Sequence, residues 1–149
     1  MNMKVQGQLT TRTPGLHLLG NSISTIYEDS NGTLWVGSGL SGLYRINFEK
    51  EEMVTYHKGN SILTSNSVRA ISELRGMLLI GTFDGLYTID LSTNSFWKHT
   101  DASLEKGNLS HFSIYSLFVD RSQTVWVGTY AGGVSFSSRF NNRFDFHDP

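Results

Sequence analysis

Aromatic rings beside carboxylates are the groups in this 149-residue chain best suited to hold a ligand. Phe83 is followed by Asp84, and Tyr130 occupies the matching position of a later segment, both close to small glycines. A ring of this kind can stack on the apolar face of a sugar while a neighbouring carboxylate accepts hydrogen bonds from its hydroxyls. Ser41 lies in the corresponding loop of an earlier segment. Phe83, Asp84, Tyr130 and Ser41 are therefore the candidate ligand-binding residues. The rival use of either ring is the commoner one for aromatics, filling a gap by packing.

Other constellations carry less chemistry. Asp29, Asn31 and Gly32 partly match a calcium loop, but the alternating oxygen ligands with a distal glutamate are not present, and Asn-Gly marks a tight hairpin in which both residues tolerate positive φ. His57, His99 and His147 recur 42 and 48 residues apart on outer strands of separate units. Zinc needs all its ligands within about 2.1 Å of one ion, so no metal site is expected. Glu28, Asp29, the run Glu49 to Glu52, Asp84, Asp101 and Asp120 fall nearly all at turns, where carboxylates are ordinarily solvated. The chain contains no Gly-x-Ser-x-Gly, P-loop or His-Glu-x-x-His pattern. No catalytic residue and no cofactor are assigned, and the chain is not expected to be an enzyme.

The elements that position these residues repeat three times. Leu34-Trp35-Val36-Gly37-Ser38, Leu78-Leu79-Ile80-Gly81-Thr82 and Val125-Trp126-Val127-Gly128-Thr129 are centred 44 and 47 residues apart. Each is preceded by a run such as Ser22 to Ile26, Ser67 to Ile71 or Ser113 to Leu117. Each is followed by Leu43 to Ile46, Leu86 to Ile89 or Val134 to Phe136, and then by a more polar run: Met53 to His57, Ser95 to His99 or Arg143 to His147. A period in the forties with four short strands per unit is that of a β-propeller blade. The expected fold is all-β, three four-stranded antiparallel blades of an incomplete propeller.

Within each unit, three successive apolar residues in the second strand predict that both of its faces are covered. Trp35 and Trp126 then serve blade-to-blade packing, and Gly37, Gly81 and Gly128 let the backbone turn where a side chain would clash. The predicted divisions are an N-terminal extension at 1–20 and blades at 21–59, 60–103 and 104–149. In the extension, Leu16 to Leu19 are expected to cover an open blade face.

Composition limits the partners. The net charge is −1 and Lys and Arg are scattered, which argues against nucleic acid or an anionic membrane surface. There are no cysteines, hence neither disulfides nor thiolate metal ligands. No run approaches the roughly 18 apolar residues of a membrane span, and Met1 to Gly7 lacks the hydrophobic region of an export signal. A closed propeller takes about four to eight blades. Three blades are thus expected to self-associate, 3 + 3 closing one ring, or to join the remaining blades of a larger parent.

Asp29 to Ser38, reading Asp-Ser-Asn-Gly-Thr-Leu-Trp-Val-Gly-Ser, and Trp126 to Val134, reading Trp-Val-Gly-Thr-Tyr-Ala-Gly-Gly-Val, resemble the two-component regulator propeller repeat. The middle unit departs from it, with Leu79 for tryptophan and a hairpin shortened around Gly76. The resemblance implies a sensor region of a hybrid two-component histidine kinase, periplasmic, with an oligosaccharide as ligand and the kinase outside this chain. It also implies that ligands meet one end of the ring. That end is formed by the loops Ser38 to Gly42, Thr82 to Gly85 and Thr129 to Gly133, together with the connections Lys58 to Ser67 and Thr100 to Ser113. Protein interaction through the blades is the alternative of a different class, and a carbohydrate-active enzyme is the third.

Overall fold

The computed structural model describes residues 4–99 and 113–137, and the backbone of 140–141 and 143–144. The described residues form strands and turns and no helix, so none contains a helix long and apolar enough to cross a membrane. The first sheet runs β1 (Ile23–Glu28), β2 (Leu34–Ser38), β3 (Leu43–Asn47) and β4 (Glu52–Tyr56) in sequence order, all antiparallel. The second repeats that meander with β5 (Val68–Leu74), β6 (Met77–Thr82), β7 (Gly85–Asp90) and β8 (Phe96–His99). In the third, β9 (Ile114–Val119), β10 (Val125–Thr129) and β11 (Val134–Ser137) pair in the same order. The pairs 140–141 (β12) and 143–144 (β13) form a short ladder of their own, and most of the predicted fourth run at 143–147 lies outside the described residues. The architecture is that of consecutive propeller blades.

Face-to-face stacking of the sheets supplies the core. One face of the first sheet, with Trp35 and Leu43, closes on Val68, Ile71, Leu78, Ile80 and Ile89 of the second. The other face of the second sheet, with Leu74, Leu79 and Leu86, closes on Ile114, Val125 and Val127 of the third. The middle sheet is therefore covered on both sides, which is why β6 is buried at five of six positions. The remaining face of the first sheet, with Val36, Tyr44 and Ile46, is covered in part by Leu18 and Leu9, as expected for Leu16 to Leu19. The Leu19 N–H donates to the Tyr44 hydroxyl at 3.0 Å, and the Thr64 N–H repeats this contact on Tyr87 at 3.1 Å.

The strand glycines act by close approach rather than by turning the chain. Gly37 and Gly81 pair in regular register with β3 and β7 and have no positive φ. A Cβ on Gly37 would lie 2.5 Å from Thr25 Cγ2 of its own sheet and 2.8 Å from Val68 Cγ1 of the next, and one on Gly81 would lie 2.5 Å from Ile114 Cγ2. Val68 and Ile114 open the innermost strands of the second and third sheets. The missing side chain thus seats the next blade on the one before it.

The first hairpins also differ from expectation. Gly32 has φ of 78° but Asn31 has no positive φ, so residues 29–32 do not form the mirror-image turn that Asn-Gly suggested. That turn occurs instead at Arg75 and Gly76, both with positive φ, where Leu74 pairs directly with Met77. In the third unit Gln123 takes the place of Gly32, with φ of 63°.

Asp29 is the physical reason for the longer turn. It is 5% exposed, not solvated, and its Oδ1 accepts from the N–H groups of Asn31 and Thr33, both at 2.9 Å. Its Oδ2 accepts from the Trp35 indole at 2.8 Å. Asp120 repeats the pattern with Ser122 and Thr124, and its Oδ2 accepts from Trp126 Nε1 at 2.9 Å. In the middle unit both partners are apolar, Leu74 and Leu79, and both are buried. Trp35 packs between blades as predicted, whereas Trp126 lies on the far side of the third sheet, 36% exposed and against Phe136.

Candidate functional site

Each innermost strand carries one extra residue. Ile23 pairs with Ser38 and Thr25 with Gly37, leaving Ser24 between them; Arg69 and Tyr115 are left in the same way in β5 and β9. Such a bulge re-aims a side chain and is common beside functional sites. Just past each second strand, the N–H groups of Gly39, Phe83 and Tyr130 donate to the carbonyls of Ser22, Ser67 and Ser113 at 2.9, 3.0 and 2.9 Å. These bonds hold the 2–3 loops against the starts of the inner strands. The bulged residues and the loop residues therefore share one end of the blades.

At that end Phe83, Arg69, Tyr115 and Tyr130 form a row. The Arg69 guanidinium lies over Phe83 at 5.1 Å and over Tyr115 at 4.3 Å, and its Nη1 donates to Ser113 Oγ at 2.7 Å. Tyr115 stacks on Tyr130 with centroids 5.8 Å apart and planes inclined by 24°. Phe83, Tyr115 and Tyr130 are 56%, 51% and 69% exposed, so the row shows ring surface to solvent while its members hold one another.

Of the residues singled out by sequence, Phe83 and Tyr130 are thus brought into one arrangement, bridged by two that were missed. Arg69 and Tyr115 could have been found by aligning the three units, since Ser24, Arg69 and Tyr115 each follow the first residue of the innermost strand. Asp84 belongs to a different network. Its carboxylate accepts from Thr64 Oγ1 and from Thr82 Oγ1 (2.9 Å), and Lys98 Nζ lies 3.8 Å away. Thr64 Oγ1 also accepts from Lys98 Nζ at 2.8 Å and is hydrogen-bonded to the Tyr87 hydroxyl at 2.8 Å. Ser41 sits beside Gly20, its N–H donating to Ser38 Oγ at 3.0 Å.

Several other ionisable groups have structural partners. The indole of Trp126, followed by the Thr124 N–H, holds the Asp120 carboxyl below its usual range. Burial, then the nearby Glu73 and Asp29 carboxylates, pushes the Tyr27 phenol up. His57 Nδ1 accepts from the Gly59 N–H at 3.0 Å, His99 Nε2 lies 3.1 Å from Thr88 Oγ1, and His147 lies outside the described residues. Among the described residues no group of three His, Asp or Glu side chains is placed to hold a metal.

Residues 17–39 match the two component regulator propeller family. The chain is similar to the extracellular domain of the hybrid two component system BT3049 of B. thetaiotaomicron, at 27% identity and a TM-score of 0.68, over 85% of this chain and 18% of that one. It is similar to the extracellular domain of the one component system BT4673 of the same organism, at 22% identity and a TM-score of 0.66, again over 85% and 18%. The computationally designed Ika4 protein shares the fold at 15% identity and a TM-score of 0.55, over 77% of this chain and 64% of that one. No curated protein matches the sequence. The chain spans about a fifth of the length of the bacterial structures it resembles.

Proposed function

We propose that the chain is part of a non-enzymatic sensory propeller of an extracellular or periplasmic two-component sensor, and that the Phe83–Tyr130 end of its blades binds an oligosaccharide. The observation that carries the ligand is the row of exposed rings at the bulged end of β5 and β9. Aromatic faces held open by their neighbours are suited to stack on pyranose rings without reorganisation. The likeness to extracellular domains of bacterial two-component systems supports the sensory role. The sequence carries no kinase motif.

Calorimetric titration of the full chain with a panel of oligosaccharides tests this reading. Binding to at least one member, weakened tenfold or more by Phe83→Ala or Tyr130→Ala and accompanied by no cleavage of the sugar, is the expected result. Absence of heat with every member, or release of cleaved product, overturns it.

A second reading rests on a separate observation. The far face of the third sheet exposes Phe118, Trp126, Val134 and Phe136, while the equivalent faces of the first and second sheets are each covered by the next blade. A further blade, from a second copy or from the rest of a longer parent, would bury these rings. Size exclusion with light scattering distinguishes the two: a dimer that Trp126→Ser dissociates assigns the face to a second copy, and a monomer assigns it to a parent chain.

A further inference from the structure

We propose that the saccharide bound at the Phe83–Tyr130 end is an acidic one and that Arg69 receives its carboxylate. The proposal rests on the saccharide reading above and narrows it. A guanidinium has five N–H donors. That of Arg69 spends one on Ser113 Oγ and lies against two rings, and among the described residues no carboxylate is within ion-pair distance of it. The cation that flanks Asp84, Lys98, is by contrast already paired.

The position is built rather than incidental. The bulge in β5 delivers Arg69 to the loop end, the ring of Tyr115, delivered by the equivalent bulge in β9, supports one part of it, and Ser113 fixes Nη1. Holding a guanidinium in this way leaves less side-chain freedom to lose when it meets a carboxylate in a two-point contact. The chain as a whole is near neutral, with scattered cations, so Arg69 is not one member of a broad basic surface for a polyanion. A ligand with one planar anionic group beside a stackable ring suits the row, and a uronic acid residue in an oligosaccharide has both. The equivalent residue of the first unit is Ser24, whose hydroxyl is turned toward the carbonyls of Gly37 and Val68, so the charge belongs to the second unit alone.

The test is titration of the full chain with uronic-acid oligosaccharides, each paired with its uncharged methyl ester. At least one acid is expected to bind tenfold or more tightly than its ester. Arg69→Gln should abolish that preference, and Arg69→Lys should retain part of it. Equal binding of acids and esters, or an acid preference that survives R69Q, overturns the assignment of Arg69 while leaving a saccharide site in place. Binding of neither form of any member, with no other saccharide binding, overturns the saccharide reading and this one together. If R69Q fails to fold by circular dichroism, the comparison of acid with ester on the unaltered chain decides.

Discussion

Replacing Asp29 by leucine should destabilise the chain by about 3 kcal/mol, and most of that loss should vanish when Trp35 is leucine as well. In the single variant the Trp35 indole N–H, 1% exposed, loses its only acceptor among the described groups. An unpaired buried donor costs about 1–3 kcal/mol. The turn also loses the acceptor of two backbone N–H groups, which water replaces in part because Asn31 is exposed; this adds about 1 kcal/mol. Trp35→Leu alone should cost about 3 kcal/mol through lost burial and an incompletely collapsed cavity. In the double variant no donor is stranded, so it should be less destabilised than the sum of the singles by about 2 kcal/mol. The middle unit already holds that leucine pair at Leu74 and Leu79, both fully buried. Urea unfolding at pH 7, followed by far-ultraviolet circular dichroism and by tryptophan fluorescence with coincident transitions, gives the four free energies. Additivity within about 0.5 kcal/mol would refute the idea that indole and carboxylate are retained or lost as a unit. The equivalent Asp120 change should cost less, because Trp126 is partly exposed and water can reach its N–H.

Gly81→Ala should cost about 2–3 kcal/mol in the same assay, since its Cβ would press on Ile114 and push the third blade off the second; a neutral result would show that the blades slide freely. Gln123→Gly should stabilise by about 1 kcal/mol by relieving a left-handed non-glycine residue at φ of 63°, read as a rise in urea midpoint. Burial lowers the His99 pKa to about 4 from 6.5, so the folded state keeps the ring neutral where the unfolded chain protonates. Its contribution is therefore complete above about pH 6.5 and is lost as pH falls toward 4, by at most about 3 kcal/mol. Unfolding curves from pH 7.5 to 4.5 should show a steeper acid loss for the natural chain than for His99→Gln, and equal slopes would contradict the burial of a neutral ring.

What the sequence made legible was periodic. Three apolar runs ending in glycine imposed the blade, because a strand covered on both faces must be apolar at successive positions, and β6 is such a strand. What it hid was geometric. Asp29 looked like any turn aspartate, since its hydrogen bond to Trp35 spans six residues and becomes visible only when the hairpin closes. Asn31-Gly32 suggested the mirror-image turn, yet the Asp29 side chain captures the backbone N–H groups and draws the chain into a longer one. A glycine closing an apolar run suggests a place where the backbone turns, whereas the use of Gly37 and Gly81 depends on which residue of the next sheet arrives there. At the candidate site, Phe83 and Tyr130 could be picked from their matching positions. Arg69 and Tyr115 could not be joined to them until the bulges showed which way the inner strands present their extra residue.

The most direct measurement is the nuclear magnetic resonance spectrum of the isotope-labelled chain, recorded while the tightest saccharide of the panel is added. The account predicts shifts concentrated on the rings of Phe83, Tyr115 and Tyr130 and on the Arg69 side chain, with the outer strand Glu52–Tyr56 unmoved. Shifts centred on the outer strands, with the aromatic row silent, would contradict it.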